Sequence, residues 1–66
     1  MDQYTSEVTI GGNIVIRVRV EYELDDGKPE NMYFYQVFED GSEDEIQPSP
    51  SDVQNIANDI VSSIHL

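Results

Sequence analysis

Across residues 14–24 apolar and polar side chains alternate. Ile14, Ile16, Val18, Val20, Tyr22 and Leu24 fall on one side, Arg17, Arg19, Glu21 and Glu23 on the other, with Val15 the apolar exception. Period two sustained over these eleven residues predicts a strand with one face buried. Upstream, Val8 and Ile10 alternate with polar neighbours until Gly11-Gly12-Asn13 interrupts them. The length of that connection decides the register. A two-residue Gly-Gly loop pairs Ile10 with Asn13 and turns Val8 toward the side of Val15 and Arg17. A three-residue loop pairs Ile10 with Ile14 and Val8 with Ile16, so that every large aliphatic residue except Val15 faces the core. A one-residue slip reverses every side chain, and the three-residue loop is therefore expected.

Residues 25–31 (Asp-Asp-Gly-Lys-Pro-Glu-Asn) are dense in turn formers and read as a loop. Residues 32–38 read as a third strand with two largely apolar faces, Met32/Phe34/Gln36/Phe38 and Tyr33/Tyr35/Val37, and the pattern leaves open which of them is buried. Asp40-Gly41 makes a turn, and the acidic residues 43–47 read either as a short edge strand or as loop. The last segment is the clearest. Ser49-Pro50-Ser51-Asp52 supplies a capping serine, a proline at the first helical position and an acid at the third. Val53, Ile56, Ala57, Ile60, Val61 and Ile64 then recur at three- and four-residue steps, one apolar stripe on a helix of about four turns. The single domain, residues 1–66, is thus expected to be α+β, a twisted antiparallel sheet of three strands, or four if residues 43–47 join it. One C-terminal helix packs on one sheet face (β-β-β-α).

The other sheet face is then open. In the expected register it carries Val15, Tyr33, Tyr35 and Val37 beside Arg17, Arg19, Glu21 and Glu23. An exposed apolar patch of this kind marks an interface, here a homodimer contact; the plainer alternative is that tyrosines, tolerant of water at one end, line a solvated sheet.

Charge changes the picture most. Fourteen carboxylates stand against three basic side chains in 66 residues, a formal net charge of −11. Such a charge repels itself and destabilises the compact state, and it exceeds the magnitude of about 2–8 that keeps a small domain soluble. Ten of the acids (Glu21, Glu23, Asp25, Asp26, Glu30, Glu39, Asp40, Glu43, Asp44 and Glu45) fall within residues 21–45, a stretch whose one base is Lys28. Direct contact with nucleic acid or anionic lipid is disfavoured. No apolar run approaches the roughly 18 residues that cross a bilayer, and the first residues lack the pattern of a secretory signal, so a cytoplasmic protein is expected. With no cysteine, no disulfide or thiolate-bound metal supports so small a core.

Catalysis is not expected. His65, the one histidine, sits near the end of the helix where a cation suits the helix dipole, and no Ser/His/Asp or Cys/His set can be assembled. Gly11-Gly12 lies in a hairpin rather than before a helix, so it is not a phosphate loop. Asp40, Ser42 and Asp44 match the first alternate positions of a calcium loop, but Glu45 stands where glycine belongs and Ser51 where glutamate belongs. No cofactor or metal is implied.

The acidic stretch is the candidate site. Alternate residues of a strand lie about 6.7 Å apart on one face, so Glu21, Glu23 and Asp25 form a row at a pitch comparable to successive phosphates. A basic protein, above all a nucleic-acid-binding enzyme, is the partner such a row suits. In size, charge and lack of a catalytic set the chain resembles the small acidic inhibitors that phages and mobile elements direct against host nucleic-acid enzymes. These include anti-CRISPR, anti-restriction and uracil-DNA-glycosylase inhibitor proteins. The resemblance is one of general character and carries over no individual residues. Two alternatives share parts of this pattern: a homodimeric assembly protein whose charge serves solubility, and an immunity protein or antitoxin against a basic nuclease.

Overall fold

The computed structural model describes residues 2–64. In chain order they form β1 (Asp2–Ile10), β2 (Ile14–Asp25), β3 (Lys28–Val37), β4 (Glu43–Ile46) and α1 (Pro50–Ile64). The strands make one antiparallel sheet in the order β1-β2-β3-β4, and α1 packs across one face of it against β3 and β1. This is the expected α+β architecture, with the acidic segment after Ser42 forming the fourth, edge strand. His65 lies outside the described residues.

The first hairpin has the register that the aliphatic pattern requires, with Ile10 opposite Ile14 and Val8 opposite Ile16. β1 also extends back to Asp2, well beyond its apolar residues. The length of β2 explains this, because it gives Tyr4 a place opposite Val20, where the ring packs on the core.

The second connection corrects the expectation of a loop over residues 25–31. Asp25 pairs with Lys28, so the turn is only Asp26-Gly27, and both residues have positive φ (55° and 78°). Two left-handed residues give the turn whose twist matches that of the flanking strands, and Asp-Gly is a preferred dipeptide for it. Pro29 and Asn31 then sit inside β3. β4 pairs only with residues 34–37, so no strand on that side requires the N–H that Pro29 lacks. Asn31, at φ 50°, marks a bulge, since Glu21 pairs with Tyr33 and Glu23 with Glu30, leaving two β3 residues opposite Tyr22. Beyond the bulge Phe34 faces the helix, while Tyr33, Tyr35 and Val37 face away.

Six side chains form the core: Val18, Val20 and Tyr22 of β2, Phe34 of β3, and Ile56 and Ile60 of α1. Tyr4, Val8, Ile16, Met32, Ile46 and Val53 pack partly buried around them. Ile14 and Leu24 lie on the helix side of β2, as the alternation predicts, yet are 59% and 43% exposed. A 15-residue helix is about 22 Å long and a 12-residue strand about 40 Å, so α1 covers only the middle of β2.

The helix begins as its sequence indicates. Ser49 Oγ accepts the Asp52 N–H at 3.2 Å and donates to Asp52 Oδ2 at 3.0 Å. The Val53 N–H reaches the Ser49 carbonyl at 2.9 Å. Ser49→Ala removes this cap, and the expected loss is about 1 kcal/mol, or about 4–8 °C of Tm for a domain of this size, read by thermal unfolding followed by circular dichroism.

Candidate functional site

The open sheet face is built by cross-strand pairing. β2 contributes Val15, Arg17, Arg19, Glu21, Glu23 and Asp25; on β3, Val37, Tyr35, Tyr33, Glu30 and Lys28 lie opposite the last five of these in turn, and Glu43 and Glu45 follow on β4. All four candidate interface residues therefore share this face with both arginines and six of the ten candidate acids.

Arg19 organises its centre. The guanidinium forks onto Glu43, with Nε 2.9 Å from Oε2 and Nη2 2.7 Å from Oε1, while Nη1 donates to Glu21 Oε2 at 2.8 Å. The same group lies over the Tyr35 ring, 4.6 Å from its centroid. A planar guanidinium meets all three demands at once, which a lysine ammonium does not. Burial pushes the Tyr35 phenol above its ordinary pKa, and the Glu21 and Glu45 charges add to this. Toward the edge, Arg17 approaches Glu7 at 3.9 Å in an exposed pair. The expected apolar patch is thus interrupted: Tyr35 is roofed by Arg19, while Val15 and Tyr33 remain exposed, at 61% and 47%.

The Arg19–Glu43 fork holds the Glu43 carboxyl below its ordinary pKa, and the Ser42 hydroxyl and N–H, donating to Asp40 Oδ1, do the same for Asp40. A carboxylate with a depressed folded-state pKa contributes stability that is fully present above the unfolded value of about 4 and is lost as pH falls through the folded one. The urea midpoint is therefore expected to drop below about pH 4. Arg19→Met removes the share of that slope that belongs to Glu43, as a pH series of urea titrations measures; a variant with the wild-type slope contradicts the assignment.

The ten acids do not form one row. Asp25 and Asp26 lie at the β2–β3 turn, with Glu23 and Glu30 beside them. Glu39, Asp40, Glu43 and Asp44 lie at the opposite end of the sheet, around the β3–β4 turn. β3, ten residues or about 33 Å long, separates the two groups. Glu21, the first residue of the expected row, is held by Arg19, and Asp40 is held within its own turn. The β2–β3 end is the more unusual. Glu23 stands directly opposite Glu30, a like-charge pair that destabilises a sheet. The neighbouring Asn31 Nδ2 donates to Glu23 Oε2 at 3.0 Å from the left-handed bulge position. Among the described residues Asp25, Asp26 and Glu30 make no side-chain hydrogen bond or ion pair. The Glu23–Glu30 opposition escapes a reading that takes residues 25–31 as loop; the Asp-Gly dipeptide is the signal that reveals it.

Elsewhere, Ile10, Ile14, Ile16 and Ile46 line an open cleft of about 790 Å³ on the helix side, with Pro48 along its wall. Among the described residues no group of three His, Cys, Asp or Glu side chains converges on a point. No helix there is long and apolar enough to cross a membrane.

Fold and surface together define a small, strongly acidic α+β domain whose charge gathers at the two ends of its sheet. Neither protein-family models, nor curated proteins, nor solved structures give a match to this chain.

Proposed function

We propose that this chain is a non-catalytic cytoplasmic binding protein that occupies a basic, nucleic-acid-binding surface of another protein, as an inhibitor of a nucleic-acid enzyme does. The β2–β3 hairpin tip is the contact. The observation that carries this reading is the placement of Glu23 opposite Glu30, with Asp25 and Asp26 beyond them and Lys28 as the nearby base. Solubility is served by charge anywhere on the surface. Facing two glutamates across a ladder instead costs folding stability of about 0.2–1 kcal/mol. A cationic groove relieves that repulsion on binding, which is how a site can be unfavourable to the free protein and useful in the complex. Glu23 and Asp25 share a strand face at about 6.7 Å, a pitch that lysines and arginines arranged for phosphates can follow.

The test is capture of partners from lysate at low salt, with competition by duplex DNA and by RNA. A basic nucleic-acid enzyme released both by salt and by nucleic acid supports the reading. Retention that nucleic acid does not compete overturns it.

A further inference from the structure

Three stretches of strand border the sheet: the outer edge of β1, the outer edge of β4, and residues 28–33 of β3, which β4 does not reach. A free edge presents unpaired N–H and C=O groups to any other strand, and natural sheets block such edges with charge, proline, bulges or short length. β4 is four residues long and three of them are acids. The free part of β3 carries Lys28, Pro29, Glu30 and the bulge at Asn31. β1 lacks the proline, the bulge and the short length, and keeps only charge. Its nine residues run in unbroken register with β2, without lysine, proline or bulge. Its acids are Asp2 at one end and Glu7, which faces Arg17.

We propose that β1 pairs antiparallel with β1 of a second copy, about a two-fold axis at Ser6, joining the two four-stranded sheets into one. The pairing is complete at that axis alone. An axis at Glu7 sets Glu7 against its own copy, and an axis at Thr5 sets Thr5 against its own copy and Glu7 against Gln3; each leaves two residues of β1 unpaired. The axis at Ser6 pairs all nine residues, with Asp2 opposite Ile10 at the two ends of the ladder. It sets Tyr4 against Val8 of the second copy on the helix side, twice by symmetry, an aromatic against a β-branched residue. Both are half-buried in the single chain and packed on the rim of its core. On the open face it sets Thr5 against Glu7 of the second copy and keeps the two Glu7 residues apart. The homodimer expected from Val15, Tyr33, Tyr35 and Val37 would instead use the open face, which also carries Glu21, Glu23, Glu43 and Glu45.

Charge sets the conditions. Each copy carries −11, and Asp52 and Asp59 flank the β1 edge with Glu7. Self-association therefore strengthens with salt, whereas binding to a basic partner weakens with it. The failure of either idea is thereby distinguishable from failure of the other.

Sedimentation velocity of the full chain at about 0.05 M and about 0.5 M NaCl tests the pairing. The expected result is a dimer, tighter at the higher salt. Thr5→Glu places a carboxylate against Glu7 of the second copy at two symmetric points and weakens the dimer about tenfold or more; Thr5→Lys tightens it. Thr5 is exposed and lies across from Arg19, so Thr5→Glu adds an opposite-charge pair within the chain and Thr5→Lys a like-charge pair that costs some folding stability; circular dichroism verifies that both variants are folded before association is read. A wild-type protein that stays monomeric up to about 1 mM at high salt overturns the proposal. So do Thr5→Glu and Thr5→Lys variants that move association in the same direction. A Tyr33→Ser/Tyr35→Ser variant that loses the dimer overturns it too, by placing the contact on the open face.

Discussion

Replacing Ile60 with alanine is expected to unfold the protein at 25 °C. Ile60 is fully buried at 0% exposure, and with Ile56 it supplies the helix half of a six-residue core. Truncating a buried isoleucine to alanine costs about 2–5 kcal/mol, because the lost transfer energy is joined by the energy of the cavity left behind. A single core in a chain this short supplies about 3–5 kcal/mol in total, so one truncation consumes most of the margin. The surroundings are poorly placed to collapse into the space: Val18 and Val20 below Ile60 are β-branched and fixed by the ladder on both sides. Urea titration followed by circular dichroism should show the wild type with a folded baseline and Ile60→Ala without one. Ile64→Ala, one turn on and already 40% exposed, is the control and should shift the midpoint only slightly. A cooperative Ile60→Ala transition within about 1 kcal/mol of wild type would mean that the sheet–helix seam is not what holds the domain together.

The second large effect concerns binding. Reversing Glu23, Asp25, Asp26 and Glu30 to lysine changes the net charge by eight units, from −11 to −3. On the proposed reading it lowers affinity for the captured basic partner at least about a hundredfold, or about 2.7 kcal/mol. Glu21 is left in place because it belongs to the Arg19 cluster, and its loss disturbs the sheet as well as the charge. A reversal of Glu39 and Asp44 at the other pole and of Glu45 beside them on β4 to lysine, six charge units against eight, serves as the comparison, with affinities read by titration calorimetry against the isolated partner. Losses that scale only with the charge removed, about three-quarters as large in free energy for the second variant, would indicate that only net charge matters and remove the hairpin tip from the proposal. The single change Glu30→Gln adds a sharper criterion. It should raise folding stability by a few tenths of a kcal/mol while weakening binding, opposite signs that a solubilising charge does not produce.

These tests lean unequally on what the sequence discloses. The register of the first hairpin is legible because β2 alternates so strictly that a slip turns six apolar side chains outward, and α1 is legible because its cap, proline and stripe agree. The N-terminal half of β1 is not: Gln3, Thr5 and Ser6 have little reason of their own to be extended, and they are strand because β2 offers them partners. Pro29 and Asn31 mislead for a related reason. Their turn preference is real, but one occupies an edge without a neighbour and the other a bulge, two positions that exist only once β2, β3 and β4 are assembled. The acids show the same limit. Composition reveals how many there are, whereas strand pairing sends Asp25–Asp26 and Glu39–Asp40 to opposite ends of the sheet and brings Glu30 across from Glu23.

The plain order β1-β2-β3-β4 also has a kinetic consequence. Each strand pairs with its sequence neighbour through a turn of two or a few residues, so loop closure is cheap at every step. Hairpins of this kind form in about 1–10 μs, and the sheet can zip outward from any of its turns without waiting for a distant segment. The long-range event is the return of α1 across the face to meet both β3 and β1. Chains with such local topology pass quickly through the stage at which bare strand edges meet one another. A bare β1 therefore spends little time beside unfinished sheets, and most of its encounters are with completed ones.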